Sequence, residues 1–250
     1  MITLPQLSRK DLSFPPVEQA LEVPNGLLAF GGDLSAERLL EAYARGIFPW
    51  YSEGQPILWW SPDPRMVLAT ATPHVPRRLK RWVRNCDWTI RADTAFDAVM
   101  RHCAAPRRDG DGTWITEAML AAYGHLHREG HAHSVEIWDQ DILIGGIYGV
   151  AVGRMFFGES MFSLRDNASK LALLALCKGL DANGFSLLDA QVSSSHLESL
   201  GAFEISRGEF GECIASLVRQ PGEIGNWTAW FGKNTIRNLG NTSPGQQPSW

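Results

Sequence analysis

After residue 85, apolar and polar positions follow one another with a helical or a strand period almost without interruption. Trp88–Ala92 alternates with period two and predicts a strand. Phe96, Val99, Met100 and Cys103 recur at i, i+3, i+4 and i+7, the stripe of an amphipathic helix. Thr116 stands where an N-cap is needed, ahead of a second stripe of Met119, Leu120, Tyr123 and Leu126 that Gly130 stops. Three strand-like runs follow, Ser134–Trp138, Ile142–Val152 and Arg154–Phe162, with turns at Asp139-Gln140 and Gly153. Ala168–Ala182 predicts a long apolar helix ending before Gly184, and Phe185–Val192 a buried strand. A short helix over Ser195–Leu200 and a further strand and helix complete the series.

Before residue 64 the periodicity is sparse. Ala36 to Arg45 predicts one helix, with Leu39, Leu40 and Tyr43 on a single face and Gly46 as its stop. The strip from Gly46 to Arg65 then sets Phe48, Trp50, Tyr51, Trp59 and Trp60 among prolines and glycines that forbid a continuous helix. Rings held on such a rigid segment plug a core or line a pocket. A boundary near Pro62–Arg65 gives a small N-terminal domain, residues 1–63, and a larger one, residues 64–231. From Gly232 the chain is rich in Asn, Gly, Pro, Ser and Gln without periodicity, which predicts a disordered tail over residues 232–250. There is no internal repeat.

The 250 residues, 44% hydrophobic and 20% charged, are those of an ordinary globular protein. No apolar run of about twenty residues offers a membrane span. The N-terminus lacks the apolar core of a signal peptide, so the expected compartment is the cytoplasm. Cys86, Cys103, Cys177 and Cys213 are widely spaced in apolar stretches and read as buried thiols. A net charge of -4 does not suggest a nucleic-acid partner, but the distribution does. Arg77, Arg78, Lys80, Arg81 and Arg84 crowd one acid-free segment, with Leu79, Trp82 and Val83 between them at the spacing of one helix face. Such a helix buries its apolar stripe and projects cations, either as a solvated face or as a seat for an anion.

Two segments place polar chemistry among apolar residues. Asp189 and Gln191, in Leu187-Leu-Asp-Ala-Gln-Val192, lie two apart on a strand and leave from the same face as Leu187, with Leu188 and Ala190 opposite. A buried carboxylate there is either employed in chemistry or caps the helix that follows. Phe157, Glu159 and Met161, in Phe156-Phe-Gly-Glu-Ser-Met-Phe162, form a second set sharing a face. Glu159 is a natural counter-ion for a guanidinium or ammonium group, and Gly158 before it admits close approach of a backbone or ligand. His125, His127, His131 and His133 do not compose a zinc site, since the first two point to nearly opposite helix faces and no other ligands complete the set. Gly158-Glu-Ser lacks the second glycine of a nucleophile elbow.

These segments, together with Glu22–Asp33, Gly112–Thr116 and Gly130–Ser134, resemble the leucyl/phenylalanyl-tRNA–protein transferase family over roughly residues 4 to 231. The resemblance implies an α+β architecture in which the larger domain has the GCN5-related N-acetyltransferase fold with a mixed sheet. The order of elements is that fold's own. It implies transfer of Leu or Phe, with Met a further candidate, from aminoacyl-tRNA to the N-terminal Arg or Lys of an acceptor protein, creating a degradation signal. No cofactor or metal is implied, because the ester is already activated, and the expected state is a monomer. In the family the residues matching Asp189 and Gln191 handle the attacking amine, with Asp189 either a general base or an orienting group. The residue matching Glu159 contacts the acceptor's basic N-terminal residue. Trp50, Trp114, Ile147, Phe156, Met161 and Leu188 fall around the aminoacyl pocket; the family often has Met in place of Ile147, which leaves the preference between Leu and Phe open. The basic segment would take tRNA phosphates. Two alternatives stand beside this one: a coenzyme A-dependent N-acetyltransferase, disfavoured because Ser163–Lys170 holds no glycine for a pyrophosphate turn, and a non-catalytic RNA-binding module.

Overall fold

The computed structural model describes residues 4–105, 114–231 and 234–240. The first part consists of β1 (Gln6–Leu7), β2 (Leu27–Gly31), α1 (Ala36–Ala44), β3 (Phe48–Pro49) and β4 (Leu58–Trp60). Its strands form a four-stranded sheet in the order β1-β2-β4-β3. The aromatic strip is thus the β3–β4 pair, with Phe48 opposite Trp60 and Pro49 opposite Trp59. No period announced these strands, because each is only two to five residues long.

The rest continues with β5 (Arg65–Ala69), α2 (Arg77–Val83), β6 (Thr89–Ala92), α3 (Phe96–Ala104) and α4 (Glu117–Arg128). Then come β7 (Ala132–Asp139), β8 (Ile142–Val152), β9 (Met155–Ser163), α5 (Ala168–Ala182), β10 (Leu187–Gln191) and α6 (Ser195–Glu198). β11 (Phe203–Ile205), α7 (Arg207–Leu217), α8 (Thr228–Phe231) and β12 (Asn234–Thr235) follow, with a 3-10 turn over Ile236–Gly240. Local chemistry sets several ends: the Thr116 hydroxyl accepts from the Met119 amide at the start of α4, and Ser206 and Glu209 cap α7 reciprocally.

The large sheet runs β11-β5-β10-β9-β8-β7-β6-β12. All its pairings are antiparallel except β9 with β10, which α5 joins as a crossover helix. β5 was not foreseen. It is an apolar run directly after the proline-rich strip, and it lies second from the edge of the sheet, between β11 and β10. The fold is therefore mixed α/β, a mixed sheet preceded by a small sheet.

Two apolar clusters cover the two faces of the large sheet. On one, α5 buries Leu171, Leu173, Leu174 and Leu176 with Phe156, Leu188 and the α2 residues Leu79 and Val83. On the other, α1, α3 and α4 gather Leu39, Tyr43, Phe96, Val99, Met119 and Tyr123 over Tyr148 and Phe157. That second cluster also contains Leu28, Phe48 and Trp59, so the small sheet and the large one share a core.

Two expectations need correction. Residues 234–240 are ordered: β12 pairs with β6, and Ile236 and Leu239 are buried in the α5 cluster. These two apolar residues are too few to make a periodic signal, yet they close the edge over α2 and β6. The remainder of the expected tail, residues 232–233 and 241–250, lies outside the described residues. Of the four cysteines, Cys86, Cys103 and Cys177 are buried but Cys213, on the outer side of α7, is exposed.

Candidate active site

Glu159 is an extra residue in β9. Gly158 pairs with Gly149 and Ser160 with Tyr148, so two residues of β9 span one step of β8, the definition of a bulge. The side-chain parity of the strand changes there. Phe157 and Glu159 turn to the α1/α4 face, whereas Met161 packs on the α5 face, so the predicted set of Phe157, Glu159 and Met161 is split. Gly158 admits close approach as expected: a Cβ there would lie 3.3 Å from the Asp189 carbonyl oxygen.

On its face Glu159 meets two tyrosines brought by helices. The Tyr43 hydroxyl, from α1, donates to Oε1 at 2.7 Å, and the Tyr123 hydroxyl, from α4, donates to Oε2 at 3.1 Å. The two hydroxyls also touch each other. Gln191 Nε2 donates to Oε1 at 2.9 Å. Glu159 keeps 9% of its surface. Burial raises its carboxyl from the ordinary 4.5 to about 7, against the lowering effect of these three donors; the charge of Asp189 adds to the rise. Burial, with Glu159's charge second, pushes the hydroxyl of Tyr123 well up, and that of Tyr43 likewise. Glu159 is thus a carboxyl poised to exchange its proton near neutrality, with a small opening to solvent.

Asp189 lies on β10 one strand away. It is fully buried and paired to Arg65 through both oxygens: Nε to Oδ1 at 2.8 Å and Nη2 to Oδ2 at 2.6 Å. Oδ1 also accepts the Gln191 amide at 2.9 Å. The helix after β10 starts from Ser194, so Asp189 is no cap. Leu187, Asp189 and Gln191 share the face foreseen for them, with Leu188 and Ala190 in the α5 cluster. Gln191, however, sits in the left-handed region at φ +63°, where β10 bulges against β5. Few non-glycine residues adopt that conformation; the bond from its amide to Asp189 holds it there. Both oxygens of Asp189 are thus engaged, by Arg65 and by the Gln191 backbone amide.

Arg65, Tyr43 and Tyr123 are not among the site candidates that the sequence offers. The tyrosines lay in helical stripes that read as core, which they are along their rings. A buried hydroxyl needs a partner, and that is the signal that could have singled them out. Arg65 opens an apolar strand, and Asp189 interrupts another. Two opposite charges, each in a buried strand, could have been paired on that ground.

Four of the six aminoacyl-pocket candidates come together on the α5 face. Ile147 stands opposite Met161 across β8 and β9, and Leu188 beside Phe156 across β9 and β10. Gly149 is what admits the Phe156 ring, since a Cβ there would lie 2.6 Å from it and 2.2 Å from the Phe157 carbonyl oxygen. Trp114 packs with the opposite cluster, and Trp50 is 43% exposed and tilted against Trp60. A 3.3 Å hydrogen bond between the Tyr51 and Thr116 hydroxyls brings the chain at Trp50 and at Trp114 together. On α2, Arg77, Arg78, Arg81 and Arg84 are exposed and Lys80 half-buried, while Leu79 and Val83 face the core. None of the five cations forms an ion pair with a described residue. Trp82, edge-on to Trp88 at 4.8 Å, flanks them at the surface.

Residues 67–215 match the family model of leucyl/phenylalanyl-tRNA protein transferase, and residues 32–63 that of its N-terminal domain. A leucyl/phenylalanyl-tRNA–protein transferase of Xanthomonas euvesicatoria pv. vesicatoria is 56% identical over 90% of this chain and 91% of its own. One from Pseudomonas fluorescens is 57% identical over 86% of this chain and 95% of its own. Among solved structures, a functionally unknown conserved protein from Staphylococcus epidermidis aligns over 72% of this chain and 68% of its own, at 11% identity and a TM-score of 0.36.

Proposed function

The chain belongs to the leucyl/phenylalanyl-tRNA protein transferase family, and from that premise we propose how its site transfers Leu or Phe from tRNA to the N-terminal Arg or Lys of an acceptor protein. The observation that carries the reading is Glu159, a nearly buried carboxylate ringed by two tyrosines and an amide, on the face opposite an apolar group of four residues.

The acceptor's basic side chain pairs with Glu159. Its α-amine, with an ordinary pKa of roughly 7.7–8.0, is partly unprotonated near neutrality. Gln191, in contact with Glu159, orients that amine towards the ester carbonyl. The amine nitrogen bonds to the carbonyl carbon, the tetrahedral intermediate collapses, and the bond to the 3′-oxygen of the terminal adenosine breaks. The nitrogen loses one proton and the leaving 3′-oxygen gains one, for which the adjacent 2′-hydroxyl is a suitable relay. No external energy is needed, because an ester is exchanged for an amide. The site contributes proximity and fixed dipoles. Ile147, Phe156, Met161 and Leu188 offer the aminoacyl side chain an apolar seat in which flexible Met161 adapts to Leu or Phe. Trp50 and Trp114 lie on the other side of the large sheet, with the small sheet, and flank the Glu159 side instead; α2 holds the tRNA backbone. The product's new N-terminal Leu or Phe would then mark the acceptor for degradation in the cytoplasm.

From β6 onward the large part would follow the order of a GCN5-related acetyltransferase, but the start of α5 does not suit coenzyme A. The Ser169 amide is taken by the Ser163 hydroxyl at 3.2 Å, and no glycine bares the backbone between them. Incubating the protein with labelled Phe-tRNA and an Arg-started peptide tests the proposal. Label should pass to the peptide without ATP or acetyl-CoA. Acetylation from acetyl-CoA in place of that transfer, or tRNA binding with no transfer, overturns it.

A further inference from the structure

Arg65 lies outside the group that would touch either substrate, yet it is joined to that group through one unbroken chain of contacts. Its guanidinium is flanked by the rings of Phe48, on β3 of the small sheet, and Phe210, on α7, at 4.8 and 4.7 Å. It grips both oxygens of Asp189, with 1% and 0% exposure for the two residues. Asp189 in turn holds the amide of Gln191, and the Gln191 side chain reaches Glu159.

We propose that Arg65 is a positioning residue for transfer: by fixing the Asp189 carboxylate it holds Gln191 in its left-handed conformation, with the amide aimed at Glu159 and the acceptor's amine. Four features argue for this over a simple core ion pair. A buried pair is commonly matched in stability by apolar residues of the same volume, so stability alone gives little reason for it. The pair is not closed on itself, because Oδ1 takes a third bond from the one residue of β10 whose backbone is strained. The fork of a guanidinium fixes both carboxylate oxygens in one plane, which a lysine ammonium does not do. The clamp also spans the molecule, since its flanking rings come from the small sheet and from α7.

The inference rests on the transferase reading, which is established first by transfer with the unaltered protein; absence of that transfer counts against the reading and not against the clamp. Arg65→Lys keeps the charge and loses the fork. It should lower kcat at least tenfold while KM for Phe-tRNA and for the Arg-started peptide stays within about twofold, the mark of an interaction used in the transition state. In a Gln191→Ala background the same substitution should lower kcat less than threefold, because the residue through which Arg65 acts is gone. A crystal structure of Arg65→Lys should show the Gln191 amide beyond hydrogen-bond reach of Glu159. If Arg65→Lys does not fold, the paired replacement Arg65→Met with Asp189→Leu preserves the packing. A folded pair variant with kcat within twofold of the unaltered protein overturns the proposal. So does an equal loss from Arg65→Lys with and without Gln191, or an unmoved Gln191 in the structure.

Discussion

At the scale of single residues, Glu159 joins stability and pH to the proposed recognition of the acceptor. Its carboxyl binds a proton up to about pH 7 in the folded protein but only up to about 4.5 when exposed. Between those values the folded state holds a proton that the unfolded state releases, so stability from this group is complete below 4.5 and is lost as pH rises through 7. The loss is on the order of 3 kcal/mol. Glu159→Gln should therefore melt above the unaltered protein at pH 8 and close to it at pH 5, which thermal denaturation at the two pH values measures. An arriving guanidinium favours the charged carboxylate, so KM for an Arg-started peptide should fall between pH 6 and 8. That fall should vanish in Glu159→Gln, together with most of the preference for Arg-started over Ala-started peptides. An unchanged Arg-to-Ala ratio of kcat/KM would remove Glu159 from acceptor recognition. Asp189→Asn should slow transfer and also destabilise the fold. It leaves the Arg65 guanidinium buried without a counter-charge, and the denaturant midpoint should drop by the equivalent of about 3–5 kcal/mol.

Elements make their own demands. The β8–β9 pair depends on Gly149, where any side chain would run into the Phe157 carbonyl and the Phe156 ring. Gly149→Ala should destabilise the protein by roughly 1–3 kcal/mol, as overpacking does, and should shift the ratio of Leu to Phe transferred by displacing Phe156. A competition assay with both charged tRNAs reads that ratio. Helix α2 with its C-cap has two sides that differ, Leu79 and Val83 inward and Arg77, Arg78, Arg81 and Arg84 outward, with Lys80 half-buried between them. Reversing Arg77, Lys80 and Arg81 to Glu should weaken tRNA binding and flatten its dependence on salt, since fewer phosphate counterions are then released. A filter-binding titration with unchanged affinity and slope would return the helix to a solvated face.

For the whole molecule, the notable feature is that the small sheet and the large sheet are not independent. Phe48 and Trp59 lie in the same cluster as Tyr43, Tyr123 and Phe157, and the site is assembled from α1, α4, β9 and β10 over that cluster. The C-terminal turn has a comparable part on the other face, where Ile236 and Leu239 pack in the α5 cluster beneath α2. Ile236→Ala should cost about 2–5 kcal/mol in denaturant unfolding, the usual range for emptying a buried aliphatic site. A surface tail would lose nothing.

The sequence by itself determined the elements from β6 to α7, the basic face of α2 and the presence of Asp189, Gln191 and Glu159 in apolar strands. These are consequences of local periodicity and of the rarity of unpaired charge in a core, and both can be read along one strand or helix. What it did not determine was the small sheet, β5, the order over residues 234–240 and the company each acid keeps. Short strands carry too few residues for a period, and their stability comes from partners distant in the chain. The bulge at Glu159 reversed the direction of Met161, since one inserted residue exchanges the two faces of a strand. The clamp of Arg65 on Asp189 joins residues 124 positions apart, and Tyr43 reaches Glu159 across 116. Only tertiary packing could decide those pairings, because a buried charge or hydroxyl requires a partner but its own sequence neighbourhood does not say which one.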